Sequence, residues 1–145
     1  IAGTLAAIDY LAGLSCAGQQ PADRRGALLE SWKLVAEYER DLLGRLLDGL
    51  AGVEGLKVWG ITDPSRAQER VPTVSFTIEG RPSAEIDRHL ASRGVFAWSG
   101  NFYAQPLSEA LGLEPDGAVR IGLLHYNTAG EVDRLIEALQ EFVQG

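Results

Sequence analysis

The sequence predicts an α+β domain of two layers, about four strands in a mainly antiparallel sheet with helices packed on one face. Three observations lead there. Candidate elements run in the order helix, long helix, strand, strand, helix, strand, strand, helix. The stretch Thr73–Glu79 alternates strictly, with Val74, Phe76 and Ile78 facing one way and Thr73, Ser75 and Thr77 the other, as in a sheet with one face on a core. The chain of 145 residues fits one domain and can bury a core without disulfides or metals.

Each element has a local reason. From Gly3 to Leu14, the residues Leu5, Ile8, Leu11 and Ala12 recur at helical spacing. The segment Cys16–Arg25, with Gly18, Gln19, Gln20, Pro21 and Asp23, breaks that helix. A long helix is expected from Gly26 to Leu50, its apolar stripe made by Leu28, Trp32, Val35, Leu42, Leu46 and Leu50. Trp32 and Tyr38 read as packing residues. Leu56–Ile61 is a short strand candidate, and Asp63–Arg70 reads as a loop. After the strand at Thr73, Gly80-Arg81-Pro82 ends the run and Ser83 is placed as the cap of a helix to Ser92, which Gly94 closes in a left-handed conformation. Val95–Trp98 is a third strand, Gln105–Leu113 holds one or two helical turns, and Ala118–His125 is a fourth strand. Thr128 and Glu131 have the spacing of a capping box, which opens a last helix with Val132, Leu135, Ile136, Leu139 and Phe142 on one face.

Composition narrows the function. The net charge of -7 argues against nucleic acid as a partner, because phosphate binding needs a basic stripe. It also disfavours an anionic membrane surface, and no run of about 18 apolar residues spans a bilayer. The single cysteine, Cys16, allows no internal disulfide and no cysteine-rich zinc site, and it suits a cytoplasmic setting. The opening residues Ile1 to Leu5 include no initiator methionine and no cleavage pattern. The chain therefore reads as part of a longer protein, or as a processed or engineered one.

Few residues stand out as chemistry. Neither histidine has a carboxylate at metal-ligand spacing. His89 reads as a solvated helix residue, whereas His125, at a strand end, either lines a site or bonds to backbone. Cys16 has no charged neighbour to activate it. The glycines write neither a dinucleotide fingerprint nor a P-loop. Arg120 differs. In Ala118–Leu124 it shares a face with Gly122 and Leu124, opposite Val119, Ile121 and Leu123. A guanidinium on such a strand calls for an anion, either a carboxylate ligand met by its planar fork or a structural Asp or Glu. The loop from Trp98 to Pro106 mixes aromatics with amides, as pocket-lining loops often do; a turn that buries its aromatics is the plain alternative.

Four segments taken together resemble a known family. Val119-Arg120-Ile121-Gly122 leading to Tyr126-Asn127-Thr128 and an acidic-start helix is similar to the end of class V aminotransferases and cysteine desulfurases, pyridoxal-phosphate (PLP) enzymes of fold type I. Pro72-Thr73-Val74-Ser75-Phe76 resembles their P-x-x-S-F strand, and Arg93-Gly94-Val95 with Ser99-Gly100 and Ala104-Gln105-Pro106-Leu107 resembles their R-G-I…G…A-x-P-L loop. The resemblance covers nearly the whole chain. It implies that residues 1–145 form the C-terminal small domain of such an enzyme, with 1–15 a helix linking to a cofactor domain that this sequence lacks. It implies that Arg120 holds the α-carboxylate of an amino-acid substrate, that Asn101, Tyr103 and His125 line the substrate side, and that Asn127 and Thr128 support the same corner. A homodimeric parent protein is implied too. The alternative is a free-standing α+β ligand-binding or dimerisation module.

Two departures from the family pattern matter. Gly100-Asn101-Phe102-Tyr103-Ala104 stands where desulfurases of the similar branch have Gly-His-His-Cys-Ala, so Tyr103 replaces the sulfur-accepting cysteine and no thiolate is present there. Lys33 and Lys57 are the only lysines, and neither sits where the family forms its Schiff base. The pair Gly3-Thr4 does not match the phosphate-contacting Gly-Thr either; it lies in what resembles the following helix. The chain alone is thus expected to be catalytically incomplete and to bind no PLP. Added PLP should produce no stable imine absorbance, and an imine band lost on Lys33→Ala and Lys57→Ala would contradict this.

Overall fold

The computed structural model describes residues 2–19 and 21–145. Ile1, and Gln20 of the expected break, lie outside the described residues. The chain divides into two compact units, Ile1–Glu39 and Arg40–Gly145.

In the first unit, α1 (Ala2–Gly13) runs into a single 3-10 turn at Leu14–Cys16, where Ala17 and Gly18 turn left-handed. The long helix α2 (Arg24–Ala51) begins in this unit. Ser15 ties the helices together: its amide donates to Ser31 Oγ at 3.1 Å and its hydroxyl to the Ala27 carbonyl at 3.0 Å. The buried line of α2 here is Ala27, Ser31 and Val35. Trp32 and Tyr38 are 55% and 41% exposed, contrary to their expected packing role. Each lies off the buried line, which advances in steps of four.

The second unit holds the sheet. Its strands are β1 (Leu56–Trp59), β2 (Thr73–Ile78), β3 (Trp98–Gly100) and β4 (Ala118–Gly122), in spatial order β1-β2-β4-β3 with every pairing antiparallel. One face packs on helices. Val74, Phe76, Ile78, Val119 and Ile121 meet Leu42, Leu43, Leu46 and Leu50 from α2. Ile86 and Leu90 come from α3 (Ser83–Ser92), and Val132, Leu135 and Leu139 from α5 (Ala129–Gln144). Gly49 lets α5 come close, since a Cβ there would lie 2.6 Å from Ile136 Cγ1. On the surface, Arg45 grips Asp133 with two bonds at 2.6 and 2.7 Å, and that hydrogen bonding holds the carboxyl below its usual range.

The expected α+β fold is present, and its boundaries moved for physical reasons. The third strand starts at Trp98 rather than Val95, because the Val95 amide bonds back to the Leu90 carbonyl at 3.0 Å as Gly94 (φ +71°) closes α3. The fourth strand ends at Gly122, opposite Thr73. Beyond it Leu123 bonds to the Pro72 carbonyl, and the Asn127 side chain accepts the Leu124 amide at 2.8 Å, which turns the chain. The expected loop at Asp63–Arg70 contains a 3-10 helix, Pro64–Glu69, capped by Asp63. Ser83 does not cap α3. It is the first helical residue, and its hydroxyl donates to the Asp116 carbonyl. The capping box of Thr128 and Glu131 is formed as expected.

Phe76 is fully buried at the centre of this core. Phe76→Ala should cost about 3–5 kcal/mol through lost transfer energy and a cavity, read as a lower denaturant midpoint.

Candidate active site

The face of the sheet opposite the core carries the site. Strand pairing lines up Trp59, Ser75, Arg120 and Trp98 across all four strands. Directly paired residues share a face, so Val119 and Ile121 in the core place Arg120 on the open side.

The turn after β3 comes up to meet Arg120. Gly100 (φ +125°) leads into Asn101–Ala104, closed by the Ala104 amide on the Asn101 carbonyl at 2.8 Å. Phe102 and Tyr103 both have positive φ, +56° and +61°, the pattern of a type I′ turn that normally asks for Asn and Gly. Such backbone costs on the order of 1–3 kcal/mol per residue and persists only when its surroundings hold it. Asn101 supplies part of the hold. Its Nδ2 donates to Glu114 at 3.2 Å, and its Oδ1 accepts the Tyr103 amide at 3.2 Å. Gly117 supplies the rest: a Cβ there would lie 2.2 Å from the Gly100 carbonyl carbon. The result is that the Phe102 ring lies 3.8 Å under the Arg120 guanidinium, a stacked cation–π contact.

Beside this pair is a cavity of about 430 Å³, within the usual size range of small-ligand sites. Helix α4 (Gln105–Ala110) and the turn after it contribute Leu107, Leu111 and Leu113, and Ala118 of β4 completes that wall. Trp59, Ser75 and Asn101 also line the cavity, and Arg120 is the one charged residue among those lining it. No carboxylate pairs with Arg120 among the described residues. The structural salt bridge left open by the sequence is therefore not formed among the described residues. Ser108 also lines the cavity, is 6% exposed, and has a hydroxyl with no hydrogen-bond partner among the described residues.

Of the residues singled out from sequence, the structure brings Arg120 and Asn101 together in the cavity. Tyr103 sits on the same turn with its side chain fully exposed. His125 and Asn127 lie beyond the end of β4; His125 meets Tyr126 edge-on at 5.2 Å, and Asn127 braces the turn into α5. His89 is not a solvated residue. Its Nε2 donates to the Ala138 carbonyl at 2.9 Å, and its ring packs on Phe142. Sequence reading missed the stacking role of Phe102, the leucine wall and Ser108; the apolar run in and after α4 was their only signal.

The fold and site together define a class: an α+β domain presenting one cation on an otherwise uncharged, largely apolar pocket. The comparisons go further. The family model for aminotransferase class-V matches residues 28–135, and the chain belongs to that family. It is 39% identical over 113 residues to the "aminotransferase-like protein FGM3" of Gibberella zeae, covering 77% of this chain and 28% of that protein. It is 33% identical over 141 residues to a "probable cysteine desulfurase" of Pseudomonas putida, covering 97% of this chain and 29% of that one. Among solved structures, the cysteine desulfurase CsdA (S-sulfonic acid) of Escherichia coli matches at 25% identity and TM-score 0.62, over 74% of this chain and 25% of that chain. The apo cysteine desulfurase of Thermococcus onnurineus shares the fold at 24% identity and TM-score 0.73, over 84% of this chain and 29% of that chain. The chain thus spans under a third of each of these relatives.

The family is PLP-dependent, but the residues around this cavity do not fit a Schiff-base site. Lys57 stacks on Trp59 with Nζ 3.7 Å from the ring centroid, and Lys33 pairs with Glu30 at 2.7 Å. Neither lysine lines the cavity, and no carboxylate lines it to meet a pyridinium nitrogen. What lines the cavity is a single guanidinium among uncharged residues.

The turn depends on the close approach at Gly117. Gly117→Ala, at φ +66° and against the Gly100 backbone, should cost more than about 1 kcal/mol and displace Phe102 from Arg120. Thermal unfolding together with the amide resonances of residues 100–104 reports both; an unchanged melting midpoint would show that the turn is not pinned there.

Proposed function

We propose that this chain is the substrate-carboxylate-binding small domain of a PLP-dependent enzyme acting on an amino acid, with Arg120 as the carboxylate anchor. The observation that carries the reading is Arg120 itself, the one charged group lining its cavity, stacked on Phe102 and paired with no carboxylate among the described residues. A flat cation held on an aromatic ring keeps its outer edge available for a two-pronged bond to a carboxylate. The Schiff-base lysine and the phosphate contacts then come from a cofactor domain N-terminal to this one, with α1 near the junction and two copies forming the working enzyme.

Asn101 is a positioning residue in this reading, since both ends of its amide are engaged in shaping the turn. Tyr103 occupies the place of the sulfur-accepting cysteine, and a phenol cannot become a persulfide. Sulfur transfer through that position is therefore closed. Amino-group transfer, or another PLP reaction that leaves no sulfur on the protein, fits better.

In the complete protein, Arg120→Ala should weaken amino-acid binding by about 1.5–3 kcal/mol, the worth of a charged hydrogen-bonded pair. Arg120→Lys should recover only part of it, because an ammonium lacks the fork. Calorimetric titration measures both. Unchanged affinity with lowered thermal stability would make Arg120 a structural residue.

A further inference from the structure

The cavity beside Arg120 is built for a different side chain from that of cysteine. Resting on the assignment of Arg120 as carboxylate anchor, we infer that the substrate is an amino acid with an extended apolar side chain, which enters the space walled by Leu107, Leu111, Leu113 and Ala118.

Three observations converge on this. The anchor and the leucine wall line one cavity, so a carboxylate on Arg120 leaves its substituent next to apolar surface. The cavity, about 430 Å³, is far larger than a thiol-bearing side chain needs. A charged side chain has no partner there, because Arg120 is the one charged lining residue and the carboxylate takes it.

Leu107 is the natural handle on this pocket. It lines the cavity yet is 60% exposed, so a polar replacement leaves the core untouched. Specificity then comes from water-excluded contact rather than from a hydrogen bond to the side chain. Such pockets discriminate gradually with length, and they reject a charged competitor strongly.

The test uses the complete protein and a linear series of probes: L-alanine, L-2-aminobutyrate, L-norvaline and L-norleucine, with L-aspartate as the charged comparison. Dissociation constants are measured by calorimetry. Each methylene should tighten binding about fourfold, L-aspartate should bind more weakly than L-norvaline, and Leu107→Ser should flatten the series, weakening L-norleucine more than L-alanine. A flat series in the unaltered protein, with Arg120→Ala still weakening every probe, overturns the apolar pocket and leaves the carboxylate anchor standing. A graded series indifferent to Leu107→Ser also overturns it, by placing the side chain elsewhere. Indifference of all probes to Arg120→Ala overturns the anchor itself.

Discussion

Strand β4 must satisfy two opposite environments with five residues, and most of the site follows from that. Val119 and Ile121 are committed to the core against Phe76 and Val74. Because side chains alternate along a strand, Arg120 between them has no choice of face. The same pairing that seals the core thereby delivers a guanidinium to the open side, between Ser75 and Trp98. A one-residue slip of register would bury the cation and expose the valine, an exchange the core does not permit. Stability and site placement are in this sense one constraint.

The turn at Asn101–Ala104 uses that stability. Two consecutive non-glycine residues with positive φ are unfavourable, and they stay because Asn101, Glu114 and Gly117 leave the chain little alternative. What the strain achieves is the position of Phe102 beneath Arg120. The ring fixes one face of the guanidinium, so fewer conformations are lost when its edge meets an anion. Tyr103, next on the turn, is presented outward with no core contact to constrain its chemistry. A turn of this kind can change the residue at its tip without disturbing the sheet.

The two sides of the sheet also differ in how they treat apolar groups. On the helix side, Leu46, Leu50, Ile86, Leu90 and Leu139 are packed to near-zero exposure. On the other side Trp98 and Leu107 remain 72% and 60% exposed. Apolar surface of that extent around a cavity is characteristic of binding regions rather than of ordinary solvent-facing sheet. The relatives are more than three times as long as the stretch matched here, and the exposed Trp98 lies on the side that carries the arginine.

Much of this was legible in the residues. Alternation at Thr73–Ile78, the stripe from Leu42 to Leu50 and the capping box at Thr128 specify their elements locally, because helix and strand periods are properties of the chain itself. The two faces of β4 were readable for the same reason, and so was the need of Arg120 for an anion. The order β1-β2-β4-β3 was not, since pairing between strands distant in sequence is settled by packing. Trp32 was assigned inward from hydrophobicity, yet it stands off the buried line by a single helical step. By itself, then, the sequence determined the α+β class, the face of Arg120 and the chemistry it demands. Only the tertiary structure decided that no carboxylate within the described chain answers it, that Phe102 lies beneath it, and that a leucine-walled cavity opens beside it. Those facts depend on distances between segments brought together by the sheet, which no local pattern encodes.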